Sequence, residues 1–143
     1  MSIKVMFQSV TPEWETPQDL FDSLDAKYHF DLDPASTDDN AKCKNHFTVH
    51  DNGLSKNWGG QTVWLNPPYG REIVKWVKKA YEESQKPKTT VVCLLPARTD
   101  TKWFHDYCKR GQIEFIRGRL KFGNSKSSAP FPSMIVVFKP TEE

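Results

Sequence analysis

The chain has 143 residues, of which 37% are hydrophobic and 13% aromatic, with 20 Lys and Arg against 18 Asp and Glu for a net charge of +2. That length suits a single domain spanning 1–143, and its aromatic content excludes a disordered chain, since such chains are poor in aromatics. No apolar stretch approaches the ~20 residues of a membrane span, and Met1–Phe7 lacks a long apolar run, so neither a membrane anchor nor a secretory leader is expected.

Thr16-Pro17-Gln18-Asp19 reads as a helix start, with Thr16 as the cap, Pro17 at the first helical position and Asp19 as a capping-box acid. Leu20, Phe21, Leu24 and Tyr28 follow on one helical face. His29–Asp33 is a short alternating strand ended by Pro34. Residues 35–45 are polar, His46–His50 is a weak strand, and Asp51-Asn52-Gly53 is a turn. Thr62–Leu65 is a stronger strand that runs into Asn66-Pro67-Pro68-Tyr69-Gly70. A helix follows from about Arg71, with Ile73, Val77, Ala80, Tyr81 and Ser84 at helical spacing. Thr89–Leu95 is a continuous apolar run, as expected of a central strand covered on both faces, and Pro96-Ala97-Arg98 is its exit. Trp103, Phe104, Tyr107 and Cys108 mark a short helix that Asp100 could cap. Ile113–Ile116 and Met134–Phe138 are two late strands, expected to form an antiparallel edge. This alternation predicts a three-layer α/β fold with a mostly parallel sheet.

In such sheets ligands bind beyond the carboxyl ends of the strands, so the loops at Asp33-Pro34, Asn66–Tyr69 and Pro96–Arg98 are the candidate site. Pro67 and Pro68 fix φ and remove two N–H donors. The carbonyls of Asn66 and Pro67 and the Asn66 amide oxygen are then acceptors able to take both protons of a planar amino group. Tyr69 offers a flat face suited to a heteroaromatic ring. A rigid turn, with Tyr69 packed on the body, is the plainer reading of the same residues.

Charge is unevenly placed. Residues 11–40 hold nine acids against the single Lys27, whereas residues 98–126 hold eight Lys and Arg against Asp100, Asp106 and Glu114. A basic stretch of this kind can meet a polyanion or simply be solvated. Phe122, amid Arg117, Arg119, Lys121 and Lys126, could stack on a base or anchor the loop in the core. Cys43, Cys93 and Cys108 lack a C-x-x-C spacing, which fits a reducing cytosol. Mid-strand Cys93 reads as a buried inert thiol, which argues against a cytosine-C5 mechanism. His29, His46, His50 and His105 make no metal-ligand pattern.

Asn66-Pro67-Pro68-Tyr69 after an apolar strand is similar to the catalytic motif of S-adenosylmethionine-dependent amino methyltransferases. Trp14-Glu15-Thr16-Pro17, Phe30-Asp31-Leu32-Asp33-Pro34-Ala35, Asp51-x-Gly53-Leu54 with Trp58, Leu94–Thr101 with Trp103-Phe104, and Gly118-Arg119-Leu120-x-Phe122 occur in that order. The set, over about residues 11–139, resembles the phage-type (Dam-like) DNA N-6-adenine methyltransferases. The resemblance implies a Rossmann-like class I methyltransferase fold without a separate target-recognition domain. It further implies S-adenosylmethionine as donor, adenine N6 in double-stranded DNA as acceptor and, for a phage-encoded enzyme, action in the host cytoplasm.

By matching motif, Asn66 and Pro67 would bind the adenine amino group, with Pro68 completing the rigid loop and Tyr69 stacking on a flipped base. Thr16, Pro17, Asp31 or Asp33, Pro34, Ala35, Asp51 and Asn66 would surround the cofactor. Arg98, Lys102, Arg117, Arg119, Lys121, Phe122 and Lys126 would face DNA. The turn Pro34-Ala35-Ser36-Thr37 departs from the glycine-rich turn of many methyltransferases. Alternative readings are amino methylation of RNA or of a protein glutamine, or a non-catalytic nucleic-acid-binding module. A homodimer is compatible with the sequence.

Overall fold

The structure, a computed structural model, describes residues 14–123 and 128–141. The N-terminal seven residues and Lys126 therefore lie outside the described residues.

Helix α1 (Gln18–Tyr28) starts after Pro17, whose ring presets φ at −58°. No side chain caps it. The expected capping by Thr16 is corrected, because its hydroxyl is engaged elsewhere, as shown below. His29 ends the helix in the left-handed region at φ 60°. Phe21 is the residue α1 buries, and its ring centroid lies 5.5 Å from those of both Phe30 and Trp64.

Four regular strands, β1 (Thr62–Leu65), β2 (Thr90–Pro96), β3 (Gln112–Phe115) and β4 (Ser133–Phe138), form one sheet in the order β1-β2-β4-β3. β1 and β2 are parallel, while β4 is antiparallel to both β2 and β3. The sheet is therefore mixed: the late strands do make an antiparallel edge, but β4 is inserted beside β2 and β3 lies outside it. The two early strands expected from the sequence are reduced to bridges. Leu32 pairs in parallel with Val63, and Asp33 with His46. A proline right after Asp33 removes the next donor and halts the ladder.

From Val91 onward β2 is buried, as is all of β4. Helix α2 (Ile73–Ser84) buries Ile73, Trp76, Val77 and Ala80, whereas Tyr81 is only half-buried and packs edge-on against Phe138 at 5.9 Å. Helix α3 (Lys102–Asp106) is capped by Thr101, whose hydroxyl accepts from the Phe104 N–H at 3.2 Å. Asp100, the expected cap, is instead exposed. Cys93 and Cys108 are buried, and burial pushes the Cys93 thiol well up and that of Cys108 to about 12, so both stay protonated at neutral pH.

Beneath the loop that precedes β1, Trp58 is fully buried and stacks on Trp76 at 6.3 Å. Glu83 accepts from the Trp58 N–H at 2.7 Å and from Lys86 Nζ at 2.8 Å, and pairs with Lys79 at 3.3 Å. Burial raises its pKa, but the hydrogen bonds and the Lys79 charge outweigh that, and the carboxyl is held below its usual range. Among the described residues, no helix is long and apolar enough to cross a membrane and no group of three His, Cys, Asp or Glu could hold a metal ion.

Candidate active site

The carboxyl ends of the Leu32–Asp33 bridge and of β1 open onto one cavity of about 160 Å³. It brings together Thr16, Asp33, Pro34, Ala35, Asn66 and Pro68 of the residues expected at the site. The lining also includes Asn52 and Gly53, where a short 3-10 segment (Gly53–Ser55) begins, and Trp76 from α2.

Asn66 is the polar centre of this wall. Its Nδ2 donates to the Thr16 hydroxyl at 2.9 Å and to the Trp14 backbone carbonyl. Both amide protons are thus taken. Its Oδ1 is buried and has no hydrogen-bond partner among the described residues. A buried acceptor left unmade is costly, roughly 1–3 kcal/mol, and polar atoms of this kind in native structures ask for an explanation. Here the orphan belongs to a residue that lines the cavity.

Asp33 is the buried carboxylate of the cavity, whose wall also includes Glu15 and Lys42. It is 3% exposed. Its carboxylate accepts from the Lys42 N–H at 2.9 Å and the Ala35 N–H at 3.4 Å. Burial raises its pKa and dominates the lowering effect of these bonds and of the His46 and Lys42 charges. A carboxylate destabilised in this way favours a cationic ligand. Asp31, the other acid considered, is exposed, outside the cavity, and accepts from the Thr62 N–H at 3.0 Å. Asp51 is also exposed and accepts from the backbone N–H of Thr48 at 2.8 Å and from the Thr48 hydroxyl at 3.2 Å, which keeps its pKa low. Pro17 lies at the start of α1, outside the cavity wall.

Gly53 lines the cavity in contact with the loop after Asp33. A Cβ there would lie 2.1 Å from the Pro34 carbonyl oxygen and 3.2 Å from Trp76 Cη2. The absence of a glycine-rich turn at Pro34–Thr37 is thus matched by a glycine on the facing segment.

Pro67 and Tyr69 are buried and do not line the cavity. The Tyr69 hydroxyl donates to the Leu94 carbonyl at 3.0 Å, and its ring meets Phe131 edge-on at 5.6 Å. Burial pushes its phenol pKa up. Tyr69 thus ties the Asn66–Pro68 loop to β2, and in this structure its ring face is turned into the core.

The loop after β3 carries Arg117, Arg119 and Lys121, all exposed, with Arg98 and Lys102 exposed after β2. Lys102 pairs with Asp106 at 3.6 Å, and the Arg98 guanidinium lies 5.9 Å from the Phe131 ring centroid. Phe122 is corrected from the DNA-facing set: it is 3% exposed and packs against Trp14 and Phe131, with centroids 5.5 and 5.9 Å away. The Gly123 N–H donates to the Glu15 carbonyl at 2.8 Å. The basic loop is thereby fastened to the Trp14–Thr16 strap that holds Asn66.

Sequence reasoning missed Trp14, Lys42, Val49, Trp64 and Trp76 as parts of the cavity wall. Trp64 and Trp76 sit at apolar positions of β1 and α2, indistinguishable by pattern from core. Val49 is 84% exposed beside the cavity, and nothing in the polar segment around it sets it apart in the sequence.

The family model for DNA N-6-adenine-methyltransferase (Dam) matches residues 5–143. The chain is 34% identical over 137 residues to a DNA N-6-adenine-methyltransferase of Haemophilus phage HP1, covering 89% of this chain and 78% of that protein. It is 31% identical over 146 residues to a DNA N-6-adenine-methyltransferase of Escherichia phage T1, covering 82% of this chain and 60% of the relative. The chain belongs to the DNA N-6-adenine-methyltransferase (Dam) family.

Proposed function

We propose that this chain is a single-domain, Rossmann-like class I enzyme that methylates the N6 amino group of adenine in DNA, with S-adenosylmethionine as donor, in the cytoplasm of a host cell. The observation that carries the reading is the Asn66 amide: its donors are saturated while its oxygen is buried and bare, on a residue that lines the cavity. An exocyclic amino group presents two protons and needs two acceptors in one plane. Asn66 Oδ1 would supply one and the backbone carbonyl of Pro67 the other, although Pro67 is itself buried off the cavity wall, and the two prolines keep competing N–H donors away.

The nitrogen lone pair of adenine is delocalised into the ring. Acceptors on both amino protons draw the nitrogen towards a tetrahedral geometry and localise that lone pair, so catalysis is positioning and charge distribution. Asp33 would take the ammonium of the methionine part, with Pro34, Ala35 and Gly53 shaping the neighbouring wall. These residues fit the donor because a buried carboxylate with a raised pKa is relieved by a cation. Bound there, S-adenosylmethionine supplies a methyl on a cationic sulfur, an electrophile that requires no strong base at the acceptor. Arg98, Lys102, Arg117, Arg119 and Lys121 would neutralise phosphates, giving affinity without sequence information.

The test is incubation with duplex DNA and S-adenosylmethionine, digestion to nucleosides and identification of the modified base by mass. N6-methyldeoxyadenosine is the expected product. Transfer confined to RNA or to protein glutamine, in parallel reactions with labelled donor, would replace the DNA reading, and no transfer to any of the three would leave a binding module.

A further inference from the structure

We infer that Thr16 is a positioning residue for the Asn66 amide, and that the Trp14–Thr16 strap selects which end of that amide faces the amino group to be methylated. The inference rests on the methyltransfer reading above and assigns Thr16 a task other than cofactor contact. A primary amide can sit in either of two flipped orientations, and only one turns its oxygen away from the strap. The Trp14 carbonyl can only accept, so the end of the Asn66 side chain that faces the strap must be the donating one. The Thr16 hydroxyl accepts the second proton at 2.9 Å. The flipped orientation would set the amide oxygen against the Trp14 carbonyl and turn the NH₂ towards another NH₂, the one arrangement that cannot bind an amino group as an acceptor.

Thr16 is 4% exposed, and the strap is itself pinned by the Gly123 N–H on the Glu15 carbonyl and by Trp14 edge-on against Phe131 at 5.2 Å. The orientation is thus imposed by groups already fixed before any ligand arrives, which lowers the reorganisation needed at the moment of reaction. It also accounts for an amide at this position. A carboxylate would aim one oxygen at the Trp14 carbonyl with no proton between them.

The experiment follows hydrogen exchange of the Asn66 Nδ2 protons by NMR, assigned from the signals that vanish in Asn66→Asp, in the ligand-free wild type, Thr16→Val and Thr16→Ser. Removing one acceptor should speed exchange about tenfold in Thr16→Val, and Thr16→Ser should restore the wild-type rate. In turnover, Thr16→Val should lower kcat about tenfold with S-adenosylmethionine Kd held within about threefold, again with recovery in Thr16→Ser. Thr16→Ala serves in place of Thr16→Val if the latter fails to fold. Exchange that is unchanged by the substitution, or a loss of cofactor affinity as large as the loss of kcat, overturns the inference. Exchange is read without donor or DNA, so a wild type with the expected protection but no methyl transfer sinks the methyltransfer reading and leaves the orienting role of Thr16 standing.

Discussion

On the proposed reading, Asn66 and Asp33 would divide the work of the cavity between a neutral acceptor and a buried charge, and each role can be measured. Removing the Asn66 amide should cost one hydrogen bond made to the reacting amino group, so Asn66→Ala is expected to lower methyl transfer at least about tenfold. Cofactor binding, followed by calorimetric titration, should change little, and an equal loss of affinity would place Asn66 in the donor site instead. For Asp33 the sign follows from its raised pKa. In the free protein the carboxyl protonates at a higher pH than an exposed Asp. A bound cation favours the ionised form, so affinity for S-adenosylmethionine should be level above the raised pKa and fall as pH drops through it, with a proton released on binding in that range. Asp33→Asn should weaken binding about tenfold or more and flatten that dependence. Titrations at several pH values check both, and an acid limb that survives in Asp33→Asn belongs to another group. Asp31 and Asp33 were inseparable in the sequence because residues two apart on a strand share a face. What separates them is the Lys42 N–H folding over Asp33 from nine residues on, an interaction that the sequence pattern does not encode.

At the scale of elements, the cavity is built by two loops that nearly touch. Gly53 presses against the backbone carbonyl of Pro34, which no side-chain rotation can move aside. Its own φ is unexceptional, so the requirement is for space and not for backbone freedom. Gly53→Ala should therefore push the Asp33–Ala35 loop outward, lowering stability by about 1–3 kcal/mol in denaturant titration and weakening donor binding beyond what the lower stability explains. Unchanged binding would mean that the Pro34 loop does not touch the donor. The Asp51-x-Gly53-Leu54 motif was visible in the sequence, but its acid attracted the functional reading. In the structure Asp51 serves the turn through Thr48 and the glycine meets the site. A helix cap shows the same limit. Thr16 carries every mark of a cap, yet its hydroxyl is taken by Asn66, fifty residues away in sequence.

For the whole molecule, the sequence made the order of elements and the exit-loop rule legible, because apolar runs such as Thr89–Leu95 and the Asn66–Tyr69 prolines carry strong local signals. The insertion of β4 between β2 and β3 was not legible, since strand order depends on pairing across distant segments. Nor was the path of the basic loop. Charge count marked residues 98–126, but only the Gly123–Glu15 hydrogen bond and the packing of Trp14 on Phe122 show that the loop turns its aromatic residue inward and leaves its cations outside. That geometry makes the last prediction specific. Arg119 and Lys121 are exposed on a loop whose backbone is fastened to the strap beside Asn66, so they would grip phosphates near the flipped base. Each phosphate that is no longer neutralised should reduce the slope of log affinity against log salt by roughly 0.9. Replacing both cations by Ala should flatten the slope by about 2 and weaken all DNA sequences alike, while Phe122→Ala should act through stability, at about 3–5 kcal/mol for an emptied core site. Fluorescence anisotropy across a salt series reads the first and denaturant titration the second. A double variant with the wild-type slope would move the DNA track off this loop, and a stable Phe122→Ala that fails to bind DNA would return its ring to the interface.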